Sequence, residues 1–339
     1  MKYIALYWGV MFIGYAYGYR RRGKKSYDSL VNVVMLISIS FLVLVMGMRM
    51  GANQQVIDNI GNIGVISVVI TLLMWVGALL PITITRKIMG IDKFGYIKGN
   101  KGKEEPPEEK LVLEEIDEIE SVEEVRGDNG SSMTWCIVIS VIAGIAIGFF
   151  AVRNILSATQ ITEFYSITSY AMTVGLCLMM TFVGYGMGYS GDVVSQFKTI
   201  GARVFAFPAA VVIGTTLMAI VIGLIVPIIS VRESLAIGYG FGWYSFAPVA
   251  ITNAGHEIAG AISFLHNVFR ELGGIVLIPV LANKVGYIEV TGLPGSAAGD
   301  VCIPIVQKAT RDEIIAYSFL IGVTEGFLTT ILVPLVIGA

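Results

Sequence analysis

The chain alternates between apolar blocks of about 20 residues and shorter polar connections. A helix of that length matches the ~30 Å hydrocarbon layer of a bilayer, because it rises ~1.5 Å per residue. The pattern predicts eight membrane-crossing helices, over residues 3–19, 29–50, 62–86, 134–153, 165–188, 203–229, 256–283 and 312–337. We therefore expect an all-α polytopic membrane protein.

Two further stretches, 234–250 and 290–307, are hydrophobic but rich in Gly, Pro and Ser, and they are too short to cross as ordinary helices. Irregular backbone at membrane depth persists only where protein or a water-filled cavity surrounds it. The composition therefore predicts two broken or re-entrant segments, in addition to about eight full spans.

Composition narrows the classes of function. Hydrophobic residues make up 55% of the 339 positions and charged residues only 14%, against about 25% charged in soluble domains. A net charge of -2 gives no nucleic-acid signal. Cys136, Cys177 and Cys302 lie in apolar blocks without metal or disulfide spacing, so no metal or other cofactor is expected. A phosphate-binding loop motif is absent from the sequence, so ATP is not the expected direct energy source.

Basic residues favour one orientation of the chain. They cluster in alternate connections: Arg20, Arg21, Arg22, Lys24, Lys25, Arg86, Lys87, Lys93, Lys98, Lys101, Lys103, Lys198, Arg203, Lys284, Lys308 and Arg311. Because such loops face the cytoplasm, both termini are predicted outside an inner (plasma) membrane. The first basic cluster follows the first apolar block, which indicates a retained helix instead of a cleaved signal. Arg49, which ends the second block, is interpreted as snorkelling to the interface.

Four regions follow along the chain: 1–88 with spans one to three, an acidic loop over 89–133, 134–229 with spans four to six, and a core transport region over 230–339. Eleven of the 25 acidic residues lie between Glu104 and Glu124. This loop is predicted to be cytoplasmic, either as a solvated linker or as one exposed helix.

Two internal similarities indicate repeats. At an offset of 137 residues, 46–51 matches 183–188, so that spans one to three correspond to spans four to six. At an offset of 55 residues, 263–265 matches 318–320, and Gly240 corresponds to Gly295. Each unit contains an odd number of crossings, so the copies are inverted, a design found in secondary transporters.

Candidate binding residues lie in the broken stretches. They are Gly240, Gly242, Trp243, Tyr244 and Ser245 in the first stretch and Gly295, Ser296 and Asp300 in the second. Glycine lets the backbone approach a ligand closely, and the hydroxyls offer hydrogen bonds. Tight packing through small residues is the alternative for the glycines. For Asp300 the alternative is a helix cap at the cytoplasmic face.

Charged residues within the last two spans are candidates for proton or ion coupling. They are Arg270, Glu271 and Glu325, and the offset of 55 places Glu325 over Arg270. Asn267 lies one turn before Glu271, so both can face one cavity. Intramembrane charges are functional candidates by default. A structural ion pair between Arg270 and a glutamate is the alternative.

Residues 240–245, Gly-Phe-Gly-Trp-Tyr-Ser, resemble a segment of the LysO-type bacterial and archaeal lysine exporters. The resemblance covers the last ~100 residues and continues through Asn267, Arg270, Glu271, Leu272, Asp300, Pro304 and Gln307. It implies export of L-lysine and close analogues, eight spans with both ends outside, and an important intramembrane glutamate at Glu271. The family's aspartate near its second span has no counterpart within that span, which Asn53 and Asp58 follow.

The hypothesis that unites these observations is lysine-out, proton-in antiport. Its partners are the small-molecule substrate, protons and the lipid bilayer, and a homodimer is one assembly compatible with it. An ion-coupled carrier of a small organic anion or another amino acid is the alternative, with Arg270 binding the anion. An enzyme is not expected, because Ser245 and Asp300 have no evident histidine partner. A channel is disfavoured, since inverted repeats suit alternating access.

Overall fold

In the computed structural model the described residues are 2–22, 28–96, 136, 139–190, 202–299 and 301–338, and no β-strand occurs among them. Most of the acidic loop and Asp300 lie outside these residues. Eight long helices are numbered here in chain order: helix 1 Lys2–Arg21, helix 2 Asp28–Ala52, helix 3 Ile60–Ile88, helix 4 Ile139–Ile155, helix 5 Ala158–Ser190, helix 6 Ala206–Ile225, helix 7 Glu257–Val285 and helix 8 Asp312–Ile337.

Six of the described helices are long and apolar enough to cross a membrane: helices 2, 3, 5, 6, 7 and 8. Helix 4 is apolar but shorter, and its predicted start lies outside the described residues. Helix 1 has 20 residues, at the predicted place. The prediction of an all-α polytopic membrane protein is confirmed.

Helices 1 and 5 cross in close backbone contact. A Cβ atom on Gly14 or Gly18 would collide with a carbonyl oxygen of helix 5, and one on Gly184 or Gly188 with a carbonyl oxygen of helix 1. Glycines four residues apart allow this approach within a membrane. Residue numbers rise together along the contact, so the two helices run parallel.

Helices 2 and 4 repeat this arrangement. Gly47 and Gly51 face the backbone of helix 4, and Gly144 and Gly148 face that of helix 2, each too closely to admit a Cβ. This pair is also parallel. The structure therefore holds two similar crossings, one made by an odd-numbered and one by an even-numbered pair of helices.

Helices 3 and 6 meet at Gly77 and Gly214, which are separated by the repeat offset, since 214 − 77 = 137. A Cβ on Gly214 would collide with the carbonyl oxygen of Gly77, and one on Gly77 would lie 3.1 Å from that of Gly214. Two equivalent residues touch only near an axis that relates their copies. Gly77 and Gly214, which correspond under the predicted repeat, thus lie in contact.

Both interrupted stretches are broken helices. The first broken segment consists of Val231–Gly238 and Ala247–Asn253, joined by non-helical residues 239–246. The second consists of Tyr287–Val290, a 3₁₀ turn over Gly295–Gly299, and Ile303–Ala309. Phe241, Phe246 and Leu293 are fully buried at the two breaks. The protein thus supplies the enclosure that irregular backbone needs at this depth.

We expect Gly184→Ala to lower the thermal unfolding midpoint of the detergent-solubilised protein, because the new methyl group collides with the carbonyl oxygen of Met11. A methyl group on Gly186 of the same helix would have no such neighbour within 4 Å. Gly186→Ala is therefore the matched control, and it should preserve or raise the midpoint, since alanine is favoured over glycine in helices by ~0.5–1 kcal/mol. Equal midpoints for Gly184→Ala and the unmodified protein would contradict the close crossing.

Candidate solute-binding site

The two broken segments cross each other at their breaks. The backbone N–H of Ser296 donates to the carbonyl oxygen of Phe241 at 2.7 Å. Gly242 and Gly295 have φ angles of 84° and 74°, which favour glycine. A Cβ on Gly242 would lie 2.5 Å from the carbonyl oxygen of Pro294, and one on Gly295 would collide with that of Phe241. Both conformation and space therefore require glycine at the crossing.

Asn267 of helix 7 fixes the first break. Its Oδ1 accepts a hydrogen bond from the N–H of Gly242 at 2.7 Å, and its Nδ2 donates to the carbonyl and hydroxyl oxygens of Ser263 at 2.7 and 3.0 Å. A Cβ on Gly240 would lie 2.6 Å from the Asn267 amide. This fully buried side chain thus satisfies backbone released by the break.

Arg270 of helix 7 fixes the second break. Its Nε donates to the carbonyl oxygen of Leu293 at 3.3 Å and its Nη2 to that of Gly292 at 3.4 Å. The guanidinium carbon lies 5.6 Å from the ring centroid of Phe241, so one side chain contacts both breaks. Arg270 is fully buried.

Glu325 of helix 8 lies 3.8 Å from Arg270, oxygen to nitrogen, and both side chains are fully buried. Neither carboxylate oxygen of Glu325 has a hydrogen-bond partner among the described residues. The two residues are separated by the second repeat offset, since 325 − 270 = 55. Like Gly77 and Gly214, the two residues correspond under a predicted repeat and lie against each other.

A cavity of about 520 Å³ lies beside the crossing. Its lining from the breaks and helix 7 includes Gly242, Trp243, Tyr244, Ser245, Ser296 and Glu271, together with the small or apolar residues Ala297, Gly299 and Val301. The indole N–H of Trp243 donates to the Ser245 hydroxyl at 3.0 Å. Glu271 is the single charged side chain among the described lining residues. The site therefore offers one carboxylate and several hydroxyls within otherwise apolar walls.

The predicted site residues fall into two groups. Six line the cavity: Gly242, Trp243, Tyr244, Ser245, Glu271 and Ser296. Five build the crossing or lie behind it: Gly240, Asn267, Arg270, Gly295 and Glu325. Asp300 lies outside the described residues.

Sequence reasoning missed the opposite wall of the cavity. Helices 1, 2 and 5 contribute Met11, Met35, Ile39, Val183 and Met187. These apolar residues lie in apolar spans, so no feature of the sequence distinguishes them from residues that face lipid. Thr330 of helix 8 also lines the cavity.

An ion pair joins helices 2 and 7 at the ends predicted to be outside. Arg49 Nη2 lies 3.0 Å from Glu257 Oε1, and its Nη1 donates to the Ser169 hydroxyl at 2.9 Å. The guanidinium lies over the Tyr165 ring, 5.0 Å from its centroid. Arg49 is only 3% exposed, so its interpretation as a snorkelling residue is wrong.

A second contact at this end joins helix 7 to the first broken segment. His256 Nδ1 lies 2.8 Å from Glu233 Oε1. Burial alone would raise the pKa of the Glu233 carboxyl, but hydrogen bonds from Ser230 and the contact with His256 lower it below its ordinary value. Glu233 therefore stays ionised and can accept a hydrogen bond from His256.

The other end of the protein carries a buried ion pair that the sequence analysis did not single out. Arg86 Nε of helix 3 donates to Glu289 Oε1 of the second broken segment at 2.6 Å, and Arg86 Nη1 donates to the carbonyl oxygen of Ile91 at 2.9 Å. Glu289 is fully buried. Helix 3 thus anchors the segment that leads into the second break.

Comparison with known proteins identifies relatives. The family model described as "Lysine exporter LysO" matches residues 138–337. The chain is 26% identical over 197 residues to the lysine exporter LysO of Escherichia coli (strain K12), covering 58% of this chain and 60% of that protein. It is 34% identical over 109 residues to a putative lysine exporter of Haemophilus influenzae, covering 32% of this chain and 52% of that protein. The matches thus span little more than half the length of these relatives. No solved structure matches the chain significantly.

We expect Arg270→Met to destabilise the protein by about 3–5 kcal/mol, because it leaves the Glu325 carboxylate buried without its cation. It also leaves the carbonyl oxygens of Gly292 and Leu293 without their donor. Adding Glu325→Gln should restore part of the loss, which unfolding of purified protein in detergent would measure. Arg20→Met is the control, since the side chain of Arg20 is exposed at the end of helix 1. Unaltered stability of Arg270→Met, or no recovery in the double variant, would contradict the assigned role.

Proposed function

We propose that this chain, which belongs to the lysine exporter LysO family, is a secondary transporter that exports L-lysine and close analogues across the inner (plasma) membrane. The observation that carries the proposal is the cavity beside the crossed breaks, in which Glu271 is the single charged side chain among the described lining residues. The names of both relatives, a lysine exporter and a putative lysine exporter, support the choice of cargo.

The cavity matches the chemistry of a basic amino acid. Its volume of about 520 Å³ suits a small solute. We propose that the hydroxyls of Ser245 and Ser296 hold the α-carboxylate, because the N–H groups of Gly242 and Ser296 already donate to Asn267 and Phe241. Glu271 binds an ammonium group, and Trp243 with the facing methionines contacts the aliphatic chain. A carboxylate repels an anionic cargo, so the cavity favours a cationic solute over a small organic anion.

The position of Arg270 also weakens the anion alternative. An anion carrier would present a cation to its substrate. Arg270 is fully buried behind the breaks and donates to two backbone carbonyls, and it is not among the residues that line the cavity. We therefore assign Arg270 a positioning role at the crossing.

Coupling to protons supplies the energy in this proposal. Export of a cation from a negative-inside cell works against ~2.3 kcal/mol per charge per 100 mV. Glu271 alternates between a proton and the substrate ammonium, so that proton entry drives lysine exit. Glu325 and Asp300 are further carboxylates that could take part. Of these, Glu325 would act through Arg270, which separates it from the breaks.

The arrangement of the cavity supports an inward-open state. The cavity reaches Met35 near the start of helix 2, Met187 near the end of helix 5 and Ile303 of the second broken segment. Met187 and Ile303 lie within two turns of connections that the basic residues assign to the cytoplasm, and Met35 lies two turns inside helix 2. The Arg49–Glu257 pair lies at the opposite end. We propose that this pair closes the outer side and separates when the site opens outward.

We expect Glu271→Gln to abolish lysine flux driven by a pH gradient, because the variant can neither ionise nor bind an ammonium group by charge. Reconstituted liposomes with radiolabelled lysine, measured with and without the gradient, provide the test. Glu313→Gln is the control, since Glu313 is 67% exposed and lies outside the cavity. Normal flux in Glu271→Gln would contradict the mechanism in which the proton and the substrate bind Glu271 in turn. Absence of lysine flux in a protein active on another solute would show that the cargo differs.

The proposed closing of the outer side by Arg49 and Glu257 leads to a second prediction. Glu257→Gln should weaken the contact with Arg49 and raise the fraction of time that the site faces outward. Modification of Ser245→Cys by a membrane-impermeant thiol reagent added outside should then become faster than in the protein that retains Glu257. Glu313→Gln again serves as control. An unchanged rate of outside modification would argue against a gate at this ion pair.

A further inference from the structure

A second cavity, of about 440 Å³, lies between helices 2, 3, 4 and 7. Its walls are almost wholly apolar, and they include Met50, Ile63, Val141 and Phe264. Ile60 and Ile142, which also line it, are 55% and 62% exposed. In a membrane these exposed side chains face lipid, so the cavity is accessible from the hydrocarbon layer.

The second cavity shares Tyr244 and Glu271 with the solute cavity. These two residues are the polar groups of a lining that otherwise consists of apolar side chains. Glu271 therefore borders both spaces.

The apolar walls exclude a second route for a hydrophilic cation. An unpaired polar group in apolar surroundings costs ~2–7 kcal/mol, and a charge costs more. A hydrocarbon chain is suited to this space, with a gain of ~0.8 kcal/mol for each methylene group removed from water. The carboxylate of Glu271 adds a preference for positive charge at the polar end.

We propose that this apolar cavity binds single-chain amphiphilic amines, with the alkyl chain between helices 2, 3, 4 and 7 and the ammonium group at Glu271. Such a ligand enters from the bilayer and reaches the carboxylate of Glu271 through the apolar cavity. It then competes with the exported cation for Glu271. The competition rests on the proposed function, whereas binding itself does not.

Photolabelling tests binding independently of transport. Dodecylamine with a diazirine at its chain end would be activated in liposomes that contain the protein, and the modified peptides would be mapped. We expect labelling within 141–145 and 261–269, reduced by excess dodecylamine but not by dodecanol or dodecyl sulfate. Equal competition by dodecanol would mean that the cavity holds a hydrocarbon tail only, such as a lipid acyl chain, and would overturn the assignment of an amine ligand.

Ile142→Trp fills the cavity from its lipid side, while Ile139→Trp is a matched control. Ile139 lies one turn away on helix 4, has a similar exposure of 61%, and is not among the lining residues. We expect labelling to fall about tenfold in Ile142→Trp, equivalent to ~1.4 kcal/mol, and to persist in Ile139→Trp. Unchanged labelling in Ile142→Trp would place the amine elsewhere and overturn the proposal.

Flux measurements then test the competition. Dodecylamine, at concentrations that leave the liposomes sealed, should inhibit lysine flux, and Ile142→Trp should require about tenfold more. Inhibition that is identical in Ile142→Trp and Ile139→Trp would contradict competition through this cavity. If the protein moves no lysine, photolabelling at helices 4 and 7 still supports the binding site, so the two proposals fail separately.

Discussion

Backbone amides and carbonyls that leave a helix inside the hydrocarbon layer need partners within the protein, and this demand shapes the region around the two breaks. Asn267 accepts from the backbone of the first break, and Arg270 donates to the backbone of the second. The breaks also bond directly to each other, from Ser296 to Phe241. Because these side chains serve the backbone, the cavity beside the crossing is left with Glu271 as its charged group among the described residues. Asn267 and Arg270 therefore support the breaks, whereas Glu271 lines the cavity.

Similar close contacts recur between pairs of the long helices. Close glycine contacts join helix 1 to helix 5 and helix 2 to helix 4 in the same way. Positions that correspond under the two predicted repeats lie against each other, as two glycines in helices 3 and 6 and as an arginine and a glutamate in helices 7 and 8. In the second case the two positions carry opposite charges and form a buried ion pair. An inverted frame of this kind suits a protein whose site must face each side of the membrane in turn.

The sequence predicted those features that depend on local composition. Apolar blocks of membrane length marked the long helices, and Gly, Pro and Ser marked the two breaks. A buried ion pair between Arg270 and a glutamate was the alternative interpretation of these charges, and the structure shows this pair with Glu325. The sequence could not predict roles that depend on the direction in which a side chain faces. Arg49 at a helix end suggests snorkelling, yet tertiary packing buries it against Glu257. Met11 and Met35 line the solute cavity, although one sequence cannot distinguish them from lipid-facing methionines.

Protection of one cysteine on each break would test whether the solute binds beside the crossed breaks. Ser245→Cys and Ser296→Cys would be introduced in turn into protein in which Cys136, Cys177 and Cys302 are replaced by alanine, and modification by a charged thiol reagent would be timed. We expect L-lysine to slow modification at both positions and succinate to leave the rates unchanged. Rates unaffected by lysine at both positions, or protection by succinate instead, would contradict it.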